Sequence, residues 1–368
     1  MRPVRIGIDA RLYFQTGVGT YLRNFLRYLP DYRPKGTQFV VYVMDGDLPR
    51  VDWNMEGATI QSVPYRWHSF GEQFGFHDRL VEDNLDLMHF TYFSYPVRYQ
   101  KPFIATVHDL TPMLMKTGRA STRNPIVYEM KYRAFEFVMA SQISNAARIL
   151  TPTRTIRDQI VSRYGEHTRD RISAIYEGVD HELISAIPDP SVLEGLTGNW
   201  HLYVGNFYPH KNVERLIRAV AETSDTSIVL CGPDDHFAGG IRNLVHAHAL
   251  DNRVHFRLNA STAQLSALYQ HACALVHPSL SEGFGLTLVE AMHFGLPVIA
   301  SDIPVFRELL GDRYTRFDPL DIASIREAFH VPRKVMKQEY AELLKSYSFA
   351  RMTRDIVNIY RDTLAGKL

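Results

Sequence analysis

The sequence predicts an α/β protein built as two doubly wound parallel-sheet domains facing a cleft. Short apolar runs alternate with amphipathic helical patterns along the chain, as parallel strands require when each must be followed by a crossover helix. This alternation occurs twice, before and after a proline-interrupted stretch, Ile187-Pro188-Asp189-Pro190, which reads as an interdomain linker. In each half, one strand runs into a glycine-bearing turn and then a helix start. A length of 368 residues leaves room for two or three domains, and 45% hydrophobic residues allow each a full core.

In the first half, an apolar strand at Val4–Ile8 ends at Asp9-Ala10-Arg11. The loop Thr16-Gly17-Val18-Gly19-Thr20 follows, and then a helix with Tyr21, Leu22, Phe25, Leu26 and Leu29 on one side. A dinucleotide fingerprint would want a third glycine at the position of Leu22, and no Walker lysine is present. A tight turn without a ligand is the alternative reading of this loop. Further strands are expected at 39–44, 59–63, 87–90, 103–107, 149–151 and 172–175.

Open parallel sheets bind ligands beyond the carboxyl ends of their strands. That rule singles out His108 and Asp109 after the 103–107 run, and His89 after Asp86-Leu87-Met88, with Tyr92 and Tyr95, on an acceptor side. A satisfied structural histidine is the alternative at each place. From Arg98 to Arg133 the chain carries seven Lys or Arg against two acids. Two readings are open for this segment. One is a basic and apolar face for an anionic membrane or a lipid diphosphate. The other is a solvated loop and a core helix with Ile126, Val127, Met130, Ala134 and Val138 inward.

The second half repeats the alternation, with strands expected at 202–204, 227–231, 254–256, 274–276 and 298–300. After the first of these comes Gly205-Asn206, then Lys211 at the start of a helix carrying Val213, Leu216, Ile217 and Val220. A lysine there opposes the helix dipole by up to about 1 kcal/mol unless an anion sits nearby. Lys211 therefore asks for a phosphate.

The stretch His277 to Met292 organises the chain. A buried strand ends in Ser281-Glu282-Gly283-Phe284-Gly285, and Leu286 and Thr287 open a helix that stops at Gly295. The unpartnered N–H groups of a helix start favour an anion, and the two glycines let it approach. Glu282 and Glu290 frame this place on the order of 6 Å apart along the axis. Carboxylates repel phosphate but accept hydrogen bonds from sugar hydroxyls, so the pattern suits a nucleotide sugar. A surface connection with an acidic cap is the bland alternative.

Glu282 and Glu290, seven residues apart inside Glu-Gly-Phe-Gly-Leu-Thr-Leu-Val-Glu-Ala, resemble the E-x7-E signature of retaining glycosyltransferases of family 4, which have the GT-B fold of two Rossmann-like domains. The flanking Pro278-Ser279 and the run from Gly295 to Asp302 are similar to that family as well. The resemblance implies that Glu290 holds the ribose and that Glu282 lies near the transferred sugar. It also implies that Lys211 contacts the diphosphate, that the Gly17 and Gly19 loop faces the donor phosphates, and that His108 sits at the sugar end. Asn206, Gly283, Phe284, Gly285, Leu286 and Thr287 complete the donor set. The family often has a second basic residue near the lysine, where this chain has Asn206 and His210. The implied domains are residues 1–178 and 179–348, with a final helix of about 349–368 crossing back onto the first.

The implied chemistry is front-face transfer of a hexose from a nucleotide-sugar donor to a glycan or lipid-linked acceptor, with catalytic roles for His108, Glu282 and Lys211, and without metal or cofactor. The Gly7–Arg11, Glu72-Gln73 and His108–Leu110 segments look most like bacterial polysaccharide mannosyltransferases, so GDP-mannose is the expected donor, with UDP-glucose the alternative. A nucleotide-sugar epimerase and a non-catalytic partner subunit are the other readings.

A net charge of +1 gives no global field for nucleic acid. Cys231 and Cys273 lie in apolar runs and read as reduced core thiols. His246 and His248 are two apart and do not share a helix face, which argues against metal. The expected location is the cytoplasm, with peripheral contact at the inner face of the membrane if the basic segment is a docking face. No charged-then-apolar leader opens the sequence, and no apolar run reaches about 18 residues.

Overall fold

In the computed structural model, which describes residues 2–115, 125–330, 335 and 337–366, the apolar runs of the first half become parallel strands. They are β1 (Val4–Asp9), β2 (Thr37–Met44), β3 (Ala58–Val63), β4 (Leu87–Phe90), β5 (Phe103–Thr106), β6 (Arg148–Thr151) and β7 (Ile172–Ala174). Their spatial order is β3-β2-β1-β4-β5-β6-β7. Helices cover both faces of such a sheet, which is why β2 and β4 read as continuous rather than alternating apolar runs. Gly7 on β1 is required by packing, since a Cβ there would lie 2.5 Å from both Leu85 and Met88.

The second half gives β8 (His201–Val204), β9 (Ile228–Gly232), β10 (Val254–Leu258), β11 (Ala274–His277), β12 (Val298–Ser301) and β13 (Thr315–Phe317), ordered β10-β9-β8-β11-β12-β13. Strand β13 was not anticipated, because Thr315-Arg316-Phe317 is short and mostly polar. Leu216, Ile217 and Val220 of the helix Val213–Ala221 join Ile228, Leu230 and Val276 in the core of this half. Both sheets reverse direction of growth once, between β1 and β4 and between β8 and β11. Ligand sites in doubly wound sheets form at such reversals, outside the carboxyl ends of the strands.

The chain divides into two Rossmann-like units, Met1–Glu177 with Ser348–Leu368, and Gly178–Tyr347. The helix Phe349–Leu364 therefore belongs to the first unit, where it packs on the helix Val18–Tyr32 through an apolar side that includes Met352, Ile356 and Tyr360. Ser348 caps it by accepting a hydrogen bond from Arg351 N. The proline stretch at 187–190 is not the linker expected from the sequence. It lies inside the second unit, where Asp189 N donates to Ala263 O at 3.0 Å.

The helix Pro125–Asn145 departs from the core-helix reading. Tyr128, Met139, Gln142 and Ile143 are its buried residues, whereas Ile126, Val127, Met130 and Ala134 are exposed. Of the basic residues counted in this region, Lys116, Arg119 and Arg123 lie outside the described residues.

Candidate active site

In the second unit, the loops after β8 and β11 meet at the sheet's reversal. Leu280 N donates to His210 O at 2.8 Å, and Asn212, in the left-handed conformation (φ 61°), donates its side-chain amide to Pro278 O at 3.1 Å and Pro319 O at 2.8 Å. These bonds hold Lys211 at the end of a 3-10 turn just before the helix Val213–Ala221. At the far side of the turn after β11, Gly285 (φ 101°) caps the helix Leu286–Phe294 in a conformation that disfavours any residue with a Cβ. Gly232, at the end of β9, admits no side chain either, because a Cβ there would lie 2.2 Å from Gly205 O.

Lys211 Nζ lies 2.6 Å from Glu282 Oε1, and His277 Nε2 lies 3.0 Å from the same oxygen. Burial pushes the Glu282 carboxyl up, but the Lys211 charge and the His277 hydrogen bond outweigh it and hold the group well below the usual carboxylate range. His277 is pulled down by burial, against the opposing pull of Glu282. Among the described residues, Glu290 has no such cation. Burial pushes its carboxyl up to about 7, with the Asp180 charge adding to the rise and a 2.6 Å hydrogen bond from Tyr269 Oη opposing it.

The remaining expected donor residues of this unit lie in the same two loops and the helix start, with different freedom. Thr287 Oγ1 lies 3.4 Å from His277 Nδ1. Asn206 Oδ1 accepts from Tyr208 N at 3.3 Å, a local turn bond. Phe284 is buried, its ring edge-on to Tyr347 at 5.9 Å, which leaves its backbone rather than its ring for a ligand. Leu286 and Thr287 supply first helical N–H groups, where intrahelical partners are lacking, and Gly283 belongs to the turn before them.

In the first unit, Gly17 (φ 63°) opens the helix Val18–Tyr32 with open space around it, and Gly19 is needed because a Cβ would lie 2.6 Å from Tyr13 O. His108 follows β5, with Nε2 3.0 Å from Thr91 O, Nδ1 3.4 Å from Glu177 Oε1, and its ring edge-on to Tyr21 at 4.8 Å. Of the expected acceptor-side residues, His89 needs correction. His89 is wholly enclosed, its Nδ1 2.6 Å from Tyr360 Oη and its Nε2 2.7 Å from Thr106 Oγ1, so it offers no atom to an acceptor. Asp109 Oδ1 accepts from Thr111 N at 2.7 Å, which makes it the cap of the short helix Thr111–Met115. Tyr95 is buried, its hydroxyl 2.6 Å from Ser141 Oγ, whereas Tyr92 is half-buried against Phe93.

The Gly7–Arg11 and Glu72-Gln73 segments prove to be one buried ion cluster. Arg11 Nη2 lies 2.6 Å from Asp9 Oδ2 and 2.7 Å from Glu72 Oε1, and its Nη1 donates to Tyr65 O at 2.9 Å. Glu72 is also held by Ser94 Oγ at 2.7 Å, so the cluster ties three segments behind the carboxyl ends of β1 and β4.

Three site residues escaped the sequence reading. His277 stands at the carboxyl end of β11, where the rule that selected His108 would have selected it too. Glu177, two residues past the 172–175 run, was open to the same rule, whereas Tyr269, on the helix Thr262–His271, carries no local signal of its contact.

Residues 15–183 match the family described as Glycosyltransferase Family 4, and residues 191–342 match Glycosyl transferases group 1. The O-antigen chain mannosyltransferase RfbU of Salmonella typhimurium is 31% identical over 62% of this chain and 64% of its own length. O-antigen chain mannosyltransferase B of Escherichia coli is 25% identical over 63% of this chain and 65% of its own. The chain thus spans just under two thirds of the length of these curated relatives. Among solved structures, sucrose-phosphate synthase from Thermosynechococcus elongatus superposes with a TM-score of 0.77 at 18% identity, covering 99% of this chain and 100% of that one. HepE of Anabaena, solved in complex with UDP and glucose, gives 0.72 at 15% identity over 98% and 100%. With its two parallel-sheet units, its paired glutamates and these matches, the chain carries a Glycosyltransferase Family 4 domain followed by a Glycosyl transferases group 1 domain and has the GT-B fold.

Proposed function

We propose that the chain transfers a hexose, with retention, from a nucleoside diphosphate sugar to a hydroxyl of a glycan or lipid-linked acceptor in the synthesis of a cell-surface polysaccharide. The observation that carries this reading is the pairing of unlike carboxylates at one sheet reversal. Glu282 is ionised and tied to a lysine, while Glu290 is buried beside the glycine turn and helix start with no cation among the described residues. Glu290 suits a ribose diol, whose hydroxyls donate to it. Lys211 and the first N–H groups of the helix Leu286–Phe294 suit the diphosphate and stabilise its charge as the glycosidic bond breaks. This division of labour needs no metal, and activity is expected to survive EDTA.

The donor is GDP-mannose, supported by the likeness to two O-antigen mannosyltransferases, with UDP-glucose the second candidate. The acceptor is presented at a membrane surface on the cytoplasmic side, which the chain meets peripherally. Ile126, Met130 and Phe137, 72%, 69% and 64% exposed, fall on one face of the helix Pro125–Asn145 with Arg133, paired to Glu129 at 3.0 Å, beside them. No helix among the described residues is long and apolar enough to cross a membrane.

Thermal unfolding with GDP, UDP, ADP, dTDP, NAD, GDP-mannose, UDP-glucose and UDP-N-acetylglucosamine tests the donor. A ligand at 100 times its dissociation constant stabilises by about 2.7 kcal/mol, a visible shift. A shift by GDP and GDP-mannose, followed by mannose transfer to an acceptor, is expected. A shift by UDP ligands alone selects the second candidate, no shift by any sugar nucleotide counts for a non-catalytic subunit, and turnover of donor without acceptor to an isomeric sugar nucleotide counts for an epimerase.

A further inference from the structure

Glu282 is held through one oxygen only. Lys211 Nζ and His277 Nε2 both reach Oε1, at 2.6 and 3.0 Å, and no donor among the described residues reaches Oε2. Oε1 is thus the anchored side of the carboxylate, and Oε2 is the side left for a ligand. The two anchors are not equivalent. Lys211 lies at a helix start beside the glycine turn, where an arriving diphosphate competes for its ammonium. His277 is 2% exposed and enclosed by Tyr203, stacked at 6.3 Å, and by Phe306 at 5.2 Å, so no ligand can draw it away.

The tautomer of His277 follows from its neighbours. A carboxylate oxygen can only accept, so Nε2 carries the hydrogen. Nδ1 is then a lone pair, which Thr287 Oγ1, 3.4 Å away, faces as donor. Ser279 Oγ stands 3.4 Å from Nε2 as a second, weaker partner. The imidazole is therefore oriented from both edges by residues of the same turn and helix start that form the candidate donor site.

We propose that His277 is the positioning residue of the transfer reaction: through its Nε2–H it keeps the Glu282 carboxylate aimed at the transferred sugar after the diphosphate has taken Lys211. The inference rests on the transferase reading proposed above. It predicts a specific division. Loss of His277 leaves the diphosphate contacts of Lys211 and the helix start in place, so nucleotide affinity is kept while turnover falls, because misplacement of a positioned group by about 1 Å costs on the order of 100-fold in rate.

The test compares His277→Phe, His277→Gln and His277→Asn in the full chain, with kcat and KM for the donor and the dissociation constant of the matching nucleoside diphosphate. Gln can place an amide N–H where Nε2 stands, and Asn places one near Nδ1. The expected result is a fall in kcat of about 100-fold for Phe and Asn, a dissociation constant within about threefold of wild type, and recovery of at least about a tenth of wild-type turnover in Gln. Unchanged kcat in the Phe variant, equal loss of turnover and diphosphate affinity, or no difference between Gln and Asn overturns the proposal. Should the variants fail to fold, ¹⁵N NMR of wild-type His277 decides. A protonated Nε2 with a bare Nδ1 supports the assignment, and the opposite tautomer rejects it. A wild-type chain that binds nucleotides but transfers no sugar refutes the transferase reading, an outcome that the kinetics of the variants cannot mimic.

Discussion

Lys211 and Glu282 neutralise each other across 2.6 Å at the place where a diphosphate is expected. A ligand anion therefore meets a compensated pair rather than a bare cation, and the helix start supplies the uncompensated part of the attraction. Lys211→Met should weaken binding of a nucleoside diphosphate much more than binding of the nucleoside alone, as read by titration calorimetry. Equal losses for the two ligands would remove Lys211 from the diphosphate site.

The same substitution has a consequence for stability. The Glu282 carboxyl lies below its ordinary value of 4.5, so its contribution is full above that pH and is lost as pH falls through the depressed native value. Without Lys211, only the His277 hydrogen bond and charge oppose burial, and the contribution shrinks. Lys211→Met should cost about 2 kcal/mol at pH 7, by urea unfolding, and progressively less below pH 4.5.

Glu290 has the opposite sign. Its carboxyl is raised from 4.5 to about 7, so its unfavourable contribution is absent below pH 4.5, grows between these values and is complete above pH 7. Glu290→Gln should stabilise the protein by up to about 3 kcal/mol at pH 8 and leave it unchanged at pH 4. Nucleotide affinity should fall in the same variant. In the wild type, a diol that donates to the ionised carboxylate should release a proton on binding near pH 6.5. Calorimetry in two buffers of different ionisation enthalpy measures that proton, and its absence would speak against a Glu290–ribose contact.

His89 should behave as a core residue. Removing it strands Tyr360 Oη and Thr106 Oγ1, so His89→Ala should destabilise by about 2 to 4 kcal/mol while leaving KM for donor and acceptor within twofold at a temperature where the protein stays folded.

Ile126→Glu, Met130→Glu and Phe137→Glu, combined, should abolish co-sedimentation with vesicles containing phosphatidylglycerol and leave nucleotide binding intact. Sedimentation equal to wild type would take the membrane away from this face.

The strands and the turn at 281–285 were legible because buried parallel strands are apolar runs, and because a glycine turn, a helix start and paired glutamates lie within one short stretch. The partners of those residues were not, since they arrive from elsewhere in the fold. Tyr269 reaches Glu290 from another helix, and Tyr360 reaches His89 from 271 residues away. Asp109 is a different case: its bond to Thr111 N spans two residues, and an Asx cap was readable there. The helix Pro125–Asn145 misled because apolar residues, including Ile126, Tyr128, Met130, Phe135 and Met139, occur on every side, so periodicity alone could not choose the face that is buried.

The inclusion of the helix Phe349–Leu364 in the first unit makes the second unit an insertion within it. During synthesis the second unit emerges complete, whereas the first waits for residues 349–364 before Tyr360 can close over His89. Until then its apolar helix Val18–Tyr32 lacks its partner, and the nascent protein carries an exposed hydrophobic face for the time needed to translate some 170 further residues, close to 10 s or longer at ~5–20 residues per second. A premature stop near residue 347 would thus leave a folded second unit attached to an unfinished first one, a candidate for chaperone capture and degradation rather than a truncated but working transferase.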